Sequence, residues 1–265
     1  MKKRNYFLIF GLTLSALIFA FILLGWFWTP FDPMKMNGAL RESAPTLAHP
    51  MGTDKFGRDI LSRVMRGAGS TLFVALGTVV IGTVVGTVVG ALTGFFGGWI
   101  DEVLMRFNDA LSAFPSFLLA LVIVSVLGPG RMHLLLALGI VFIPSYARIV
   151  RSEFSRARTQ NYVKSAKLMG ASTARILFVH ILPNIWPVLL SAITIGFNNA
   201  VLAEAAMSYL GIGVSPDEAS LGYMLSDSQA YLGTMPWYAL GAGFVIILLI
   251  LGVGMIGEGL QRKDL

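Results

Sequence analysis

The chain has 265 residues, 55% of them hydrophobic and only 13% charged, with a mean hydropathy of +0.74. Water-soluble domains carry about 25% charged residues, so the composition argues against a soluble fold and for one integral membrane domain. The net charge of +6 comes from clustered cations, the lack of cysteine excludes disulfides and thiolate metal sites, and His49, His133 and His180 lie too far apart to form a metal set.

A membrane-crossing helix needs about 20 apolar residues. Six segments qualify: 6–28, 71–99, 110–130, 132–147 with residues borrowed from its flanks, 185–203 and 231–257. The first follows Met1-Lys2-Lys3-Arg4, a start shared with signal peptides. Its apolar run exceeds the ~7–15 residues of a signal and no A-x-A site follows, so it reads as a retained anchor. Trp26 and Trp28 close it as interfacial residues do.

Six spans place both termini on one face. That face then carries 13 of the 20 Lys and Arg, against seven on the other. Lys and Arg collect on the cytoplasmic side, so the sequence predicts an all-α integral membrane protein with both termini in the cytoplasm. It divides at residue 69. Residues 1–69 are an anchor helix plus an extracytoplasmic loop. Residues 70–265 are a five-helix core with a cytoplasmic loop over 148–183.

Within the outer loop, Gly52-Thr53-Asp54 reads as a turn. Thr53 or Asp54 can cap a helix that pairs Asp59 with Arg63 at i,i+4. The loop is either a scaffold or a contact surface for an external partner. The second span repeats glycine at every fourth residue: Gly82, Gly86, Gly90 and Gly94. These fall near one helix face and permit close backbone approach in lipid, either inside the chain or against a second subunit. Thr83 and Thr87 can satisfy their hydroxyls on backbone carbonyls. Asp101, Glu102, Arg106 and Asp109 on the inner 100–109 loop read as a solvated surface. Pro115 sits early in the third span and Pro144 inside the fourth, where it should kink the helix.

The 148–183 loop is basic and amphipathic, trapped between two spans. A short helix over 161–169 carries Tyr162, Val163, Ala166 and Met169 at helical spacing, with Lys164 and Lys167 on another side. Gly170 is placed to end it and Ser172 to cap the next helix. That second helix carries Ile176, Leu177 and Ile181 and yields to the fifth span at Pro183 and Pro187. Three readings compete: nucleic-acid binding, which the flanking spans disfavour; contact with anionic membrane lipid through Arg148, Arg151, Arg156 and Arg158; and a protein dock in which the 161–169 helix enters a groove.

In the fifth span, Asn198, Asn199 and Glu204 are polar groups at membrane depth, where such groups face the bundle interior or water. Glu204 can contact a cationic substrate or gate a pore, or it can hydrogen-bond a neighbouring helix. The 211–230 loop adds Asp217, Glu218 and Asp227 to the outer face. Ser112, Ser116 and Ser125 have only His133 as an intramembrane base, near an edge, which argues against an intramembrane enzyme. No filter-like loop marks an ion channel, and no G-x-x-x-x-G-K-[ST] loop exists to hydrolyse ATP.

Residues 162–184, YVKSAKLMGASTARILFVHILPN, resemble the "EAA" loop of ATP-binding-cassette importer permeases. Lys164-Ser165-Ala166 stands in place of the family's Glu-Ala-Ala, so the first two positions depart from it, while Gly170 and Leu182-Pro183 match. His49 to Asp59, HPMGTDKFGRD, with Ser62-Arg63, is similar to a signature of the dipeptide/oligopeptide/nickel permease group. So are Ala203-Glu204-Ala205-Ala206, Leu210-Gly211-Ile212-Gly213 and Gly222-Tyr223-Met224-Leu225, although Leu221 replaces a frequent Trp. The resemblance covers nearly the whole chain and implies a type I importer permease fold, the second or "C-type" permease of its pair, in the inner membrane of a prokaryote. It implies ATPase-coupling roles for Tyr162, Val163, Ala166, Lys167, Met169, Gly170 and Ala171. It places Gly52, Thr53, Asp54, Gly57, Arg58 and Asp59 on the binding-protein side. The implied partners are a second homologous permease, two cytoplasmic ATPase subunits and an extracytoplasmic substrate-binding protein, besides membrane lipid. The cargo is peptide, or alternatively nickel or its chelates, and the chain needs no cofactor or metal of its own.

Overall fold

The computed structural model describes residues 6–215 and 218–261. The basic Lys2, Lys3 and Arg4, the loop residue Asp217 and the tail residues Arg262 and Lys263 lie outside the described residues. The chain folds as α1 (Tyr6–Phe27), α2 (Ile60–Phe96), α3 (Gly98–Ser112), α4 (Ser116–Leu127), α5 (Arg131–Ala157), α6 (Asn161–Leu168), α7 (Thr173–Arg175), a π-helical segment (Ile176–Ile181), α8 (Leu182–Tyr209), α9 (Leu221–Ser228) and α10 (Pro236–Gln261). Among the described residues, five continuous helices are long and apolar enough to cross a membrane, and α3 with α4 forms a sixth, bent pair.

The third span, expected over 110–130, is instead this bent pair, which begins at Gly98. Its two helices meet at 85°. Pro115 has no N–H to donate and sits in extended backbone (ψ 126°) immediately before α4, where it starts a helix rather than continuing one. Twelve residues make α4 about 18 Å long, short of the ~30 Å apolar layer. Among the charged residues of α3, Glu102, Arg106 and Asp109 are exposed as expected, whereas Asp101 is partly buried. Asp101 accepts two hydrogen bonds from Arg151 of α5, both at 2.6 Å, which ties α3 to the bundle.

Three element boundaries move as well. Helix α2 starts at Ile60 rather than 71, because Asp59 caps it by accepting from the Ser62 amide at 2.8 Å. The division expected at residue 69 therefore falls inside one continuous helix. Helix α5 carries Arg148, Arg151 and Arg156 to its end at Ala157, so the separate elbow begins ten residues later than expected. The fifth span reaches back to Thr173 through the π segment. Pro183 stands where the π segment passes into α8, and Pro187 lies inside α8.

Small residues set how the helices meet. A Cβ on Gly90 of α2 would lie 2.5 Å from the Ala147 carbonyl oxygen of α5, and one on Gly86 would lie 2.6 Å from the Tyr146 Cβ. Gly82 and Gly94 face the same helix, at Phe142 and Phe154. The glycine face thus lies against α5 of the same chain, and the two helices run parallel. Helix α1 packs antiparallel on α10, with Gly11 against Ile256 and Ser15 against Gly252. Lipid offers no hydrophobic drive between helices, so such backbone proximity is what holds the pairs.

Candidate functional site

The elbow is built by local chain chemistry. Helix α6 ends in a Schellman motif: Gly170 takes φ +77°, its amide donates to the Lys167 carbonyl, and the Ala171 amide donates to the Ala166 carbonyl, both at 3.0 Å. Ser172 then accepts from the Arg175 amide at 3.3 Å and opens α7. Val163 and Ala166 are buried with Ile176, Ile181 and Ile185. This corrects the expectation that they enter a partner's groove, because their face is already occupied by the chain itself. The opposite face is free: Leu168 is 89% exposed and Met169 80%, with Tyr162, Lys164, Lys167 and Gly170 also at the surface. Ala171 is half-buried, and Lys167 holds its ammonium 5.1 Å from the Phe95 ring centroid. Leu168 was missed by sequence reasoning, because it follows neither the Val163–Ala166 face nor the lysine face.

A cavity of about 380 Å³ lies between the start of α4, α5 and α8. Its walls are mostly apolar, with Ser116, Ser145, Tyr146 and Asn199 as hydrogen-bonding groups, and no carboxylate or cation among the described residues lines it. Asn199 faces this space. Asn198, one residue earlier, turns towards Gly254 of α10 instead, and its Oδ1 is buried without a hydrogen-bond partner among the described residues. The adjacent asparagines thus serve different sides of α8.

Glu204 does not line the cavity. It is fully buried and accepts hydrogen bonds on Oε1 from the Ser208 hydroxyl at 2.8 Å and the Ser220 hydroxyl at 3.3 Å. Ser208 in turn accepts from the Val214 amide, and Ser220 from the Tyr223 amide as the cap of α9. The carboxyl therefore joins α8, the following turn and α9 in one network.

At the end opposite the elbow, residues 29–59 form a folded cap over α2, α9 and α10. Gly52, Thr53, Asp54, Gly57, Arg58 and Asp59 are all buried within it. Asp54 accepts from Arg58 Nε at 2.6 Å, lies 3.6 Å from Arg63 Nε, and receives the amides of Phe56 and Arg58 at 2.9 Å. Asp59 accepts from the Ser62 amide and hydroxyl and pairs with His49 Nδ1 at 2.8 Å. The expected Asp59–Arg63 pair is absent, since Asp59 is engaged as the α2 cap and Arg63 turns to Asp54. These side chains build the inside of the cap and are not themselves a contact surface. The cap is pinned to the bundle by Lys55, whose ammonium donates to Asp227 Oδ1 at 2.6 Å, while the Tyr238 hydroxyl donates to Oδ2 at 3.1 Å. The hydrogen bond to Asp227 raises the Lys55 pKa above its ordinary 10.5.

Residues 86–263 match the family described as "Binding-protein-dependent transport system inner membrane component". The chain is 39% identical over 267 residues to the dipeptide transport system permease protein DppC of Alkalihalophilus pseudofirmus, covering 98% of this chain and 85% of that one. It is 34% identical over 265 residues to DppC of Haemophilus influenzae, covering 98% and 90%. The fold is shared with an inward-facing structure of the MetNI methionine ABC transporter, at a TM-score of 0.63 and 20% identity over 76% of this chain and 96% of that one. The chain therefore belongs to the binding-protein-dependent transport-system inner membrane components, the multi-pass permeases of bacterial ABC importers, which are transport subunits and not enzymes.

Proposed function

We propose that this chain forms half of a peptide translocation pathway, with a homologous permease supplying the other half. The elbow lies on the cytoplasmic face and receives two ATPase subunits, and the capped end faces a substrate-binding protein. The observation that carries this reading is the division of labour on α6. Leu168 and Met169 stand free at its tip, while Val163 and Ala166 lock its other face to the π segment and α8. A push on the tip is transmitted through packed side chains to the helix that carries Asn199 into the cavity. The π segment supplies a compliant joint in that path, a common use of π-bulges.

Peptide is favoured over nickel as cargo by the printed names of relatives that match nearly the whole chain. The cavity chemistry agrees. Hydroxyls and one amide on apolar walls can hydrogen-bond a peptide backbone without selecting a side-chain charge. Substrate choice then rests with the binding protein. Residues 1–69 serve as a peripheral anchor and cap, and 70–265 as the transporting core.

The test is co-purification and dipeptide uptake. Replacing Leu168 and Met169 together by Glu should abolish ATPase association and lower uptake by about tenfold or more, because apolar anchors dominate such interfaces. Membrane insertion and the folded elbow should be unchanged. Normal assembly and uptake in that variant would remove the docking role.

A further inference from the structure

At the capped end, a groove outside the translocation cavity collects charges of both signs beside aromatic rings. Two adjoining cavities of about 460 and 380 Å³ share Trp26, Arg66 and Arg131. Arg66 has no carboxylate partner among the described residues; its Nη1 reaches the Trp26 carbonyl at 3.5 Å. Arg131 Nε stands 3.7 Å from Glu218 Oε2, with its guanidinium 5.5 Å from the Phe73 ring centroid. Asp32 completes the polar end of the larger cavity, where its Oδ1 accepts from the Met34 amide at 2.9 Å. Phe73 lines only the smaller cavity. Trp26 is in the last turn of α1, Arg131 is the first residue of α5, and Arg66 precedes the uncharged stretch of α2. All three mark the edge of the apolar layer, where aromatic residues and phospholipid headgroups meet.

We propose that this groove binds a phospholipid with a phosphoethanolamine headgroup. The phosphate lies between Arg66 and Arg131, since guanidinium groups match phosphate oxygens with paired donors. The ammonium points to Glu218 and Asp32, and the acyl chains run along Trp26 and Phe73. A headgroup with only negative charge would meet two carboxylates without a cation to neutralise them, its hydroxyls offering only neutral hydrogen bonds. A choline headgroup has no N–H to donate. A free dipeptide also carries both charges, but it has no acyl chain for the aromatic wall. Moreover, α1 lines this groove and contributes nothing to the translocation cavity.

The experiment is native mass spectrometry on the delipidated importer assembled with its partner subunits. It is titrated separately with phosphatidylethanolamine, phosphatidylglycerol, phosphatidylcholine, soluble phosphoethanolamine and dialanine. Phosphatidylethanolamine should bind about tenfold tighter than the other two lipids. Arg66→Ala with Arg131→Ala should lower that affinity by about tenfold or more. Glu218→Gln, which keeps the side-chain shape, should leave phospholipid bound but erase the preference for ethanolamine over glycerol. Equal affinity for all three lipids, or unchanged binding in the double variant, would overturn the proposal. So would displacement by dialanine, which assigns the groove to cargo, or soluble phosphoethanolamine binding as tightly as the lipid.

Discussion

Gly90 sits at a close approach of α2 to α5, and its neighbours there, the Ala147 carbonyl oxygen, the Arg151 amide nitrogen and the Val150 Cβ, cannot swing aside. Gly90→Ala gains helix propensity but forces the helices apart, and overpacking of this kind costs about 1–3 kcal/mol. The thermal midpoint of the purified assembly should fall accordingly. Lys55 presents a different kind of dependence. Its pKa is raised in the fold, so its contribution is complete below the unfolded value near 10.5 and disappears as pH rises through the folded value. Lys55→Met should cost roughly 1 kcal/mol at pH 8, read by thermal unfolding. The gap between the variant and the parent chain should narrow only above pH 10.5, as pH rises through the raised folded value, with parent stability falling towards that of the variant. At this scale the sequence showed which residues were unusual but not always what they touch. Gly170 and Ser172 were legible because caps are local. Asp54, Asp59 and Arg63 were placed in the right segment with the wrong partners, since a pairing that spans a folded loop is not written in i,i+4 spacing.

The cap and the elbow are the two elements whose open readings depended on the fold. Residues 49–59 read as either a scaffold or a contact surface, and Asp54, Arg58 and Asp59 lie buried in pairings inside the cap. Removing Asp54 leaves two buried guanidinium groups without their carboxylate, a change that costs about 3–5 kcal/mol. Asp54→Ala should therefore release the cap, detected as rapid proteolytic cleavage within residues 29–59 while the helices stay protected. The elbow's apolar positions were all assigned to one docking face, but Val163 and Ala166 face the chain and Leu168 faces away. Helical periodicity identifies a stripe without saying what covers it. The bend between α3 and α4 has a similar origin. Hydropathy runs unbroken through Ala113-Phe114-Pro115, and only backbone geometry reveals that the apolar run changes direction.

Across the whole molecule, helix α1 packs on α10 and α2, whereas the proposed translocation cavity lies between α4, α5 and α8. Asn199→Trp would fill much of that space. Uptake of dipeptide should fall about tenfold or more, while ATPase co-purification and thermal stability remain unchanged. Loss of assembly in that variant would show that Asn199 serves packing instead.

Composition and hydropathy were enough to determine a helical membrane protein, because the bilayer permits few ways to satisfy a buried backbone, and the resemblance of residues 162–184 and 49–63 to importer permeases added the family. Side-chain assignments were decided only by the fold. Whether a glycine meets its own chain or another, whether an acid lines a path or holds a turn, and which face of a short helix stays bare all depend on contacts between residues tens to hundreds of positions apart. Such contacts leave no local pattern, and burial in the tertiary structure is what separates them.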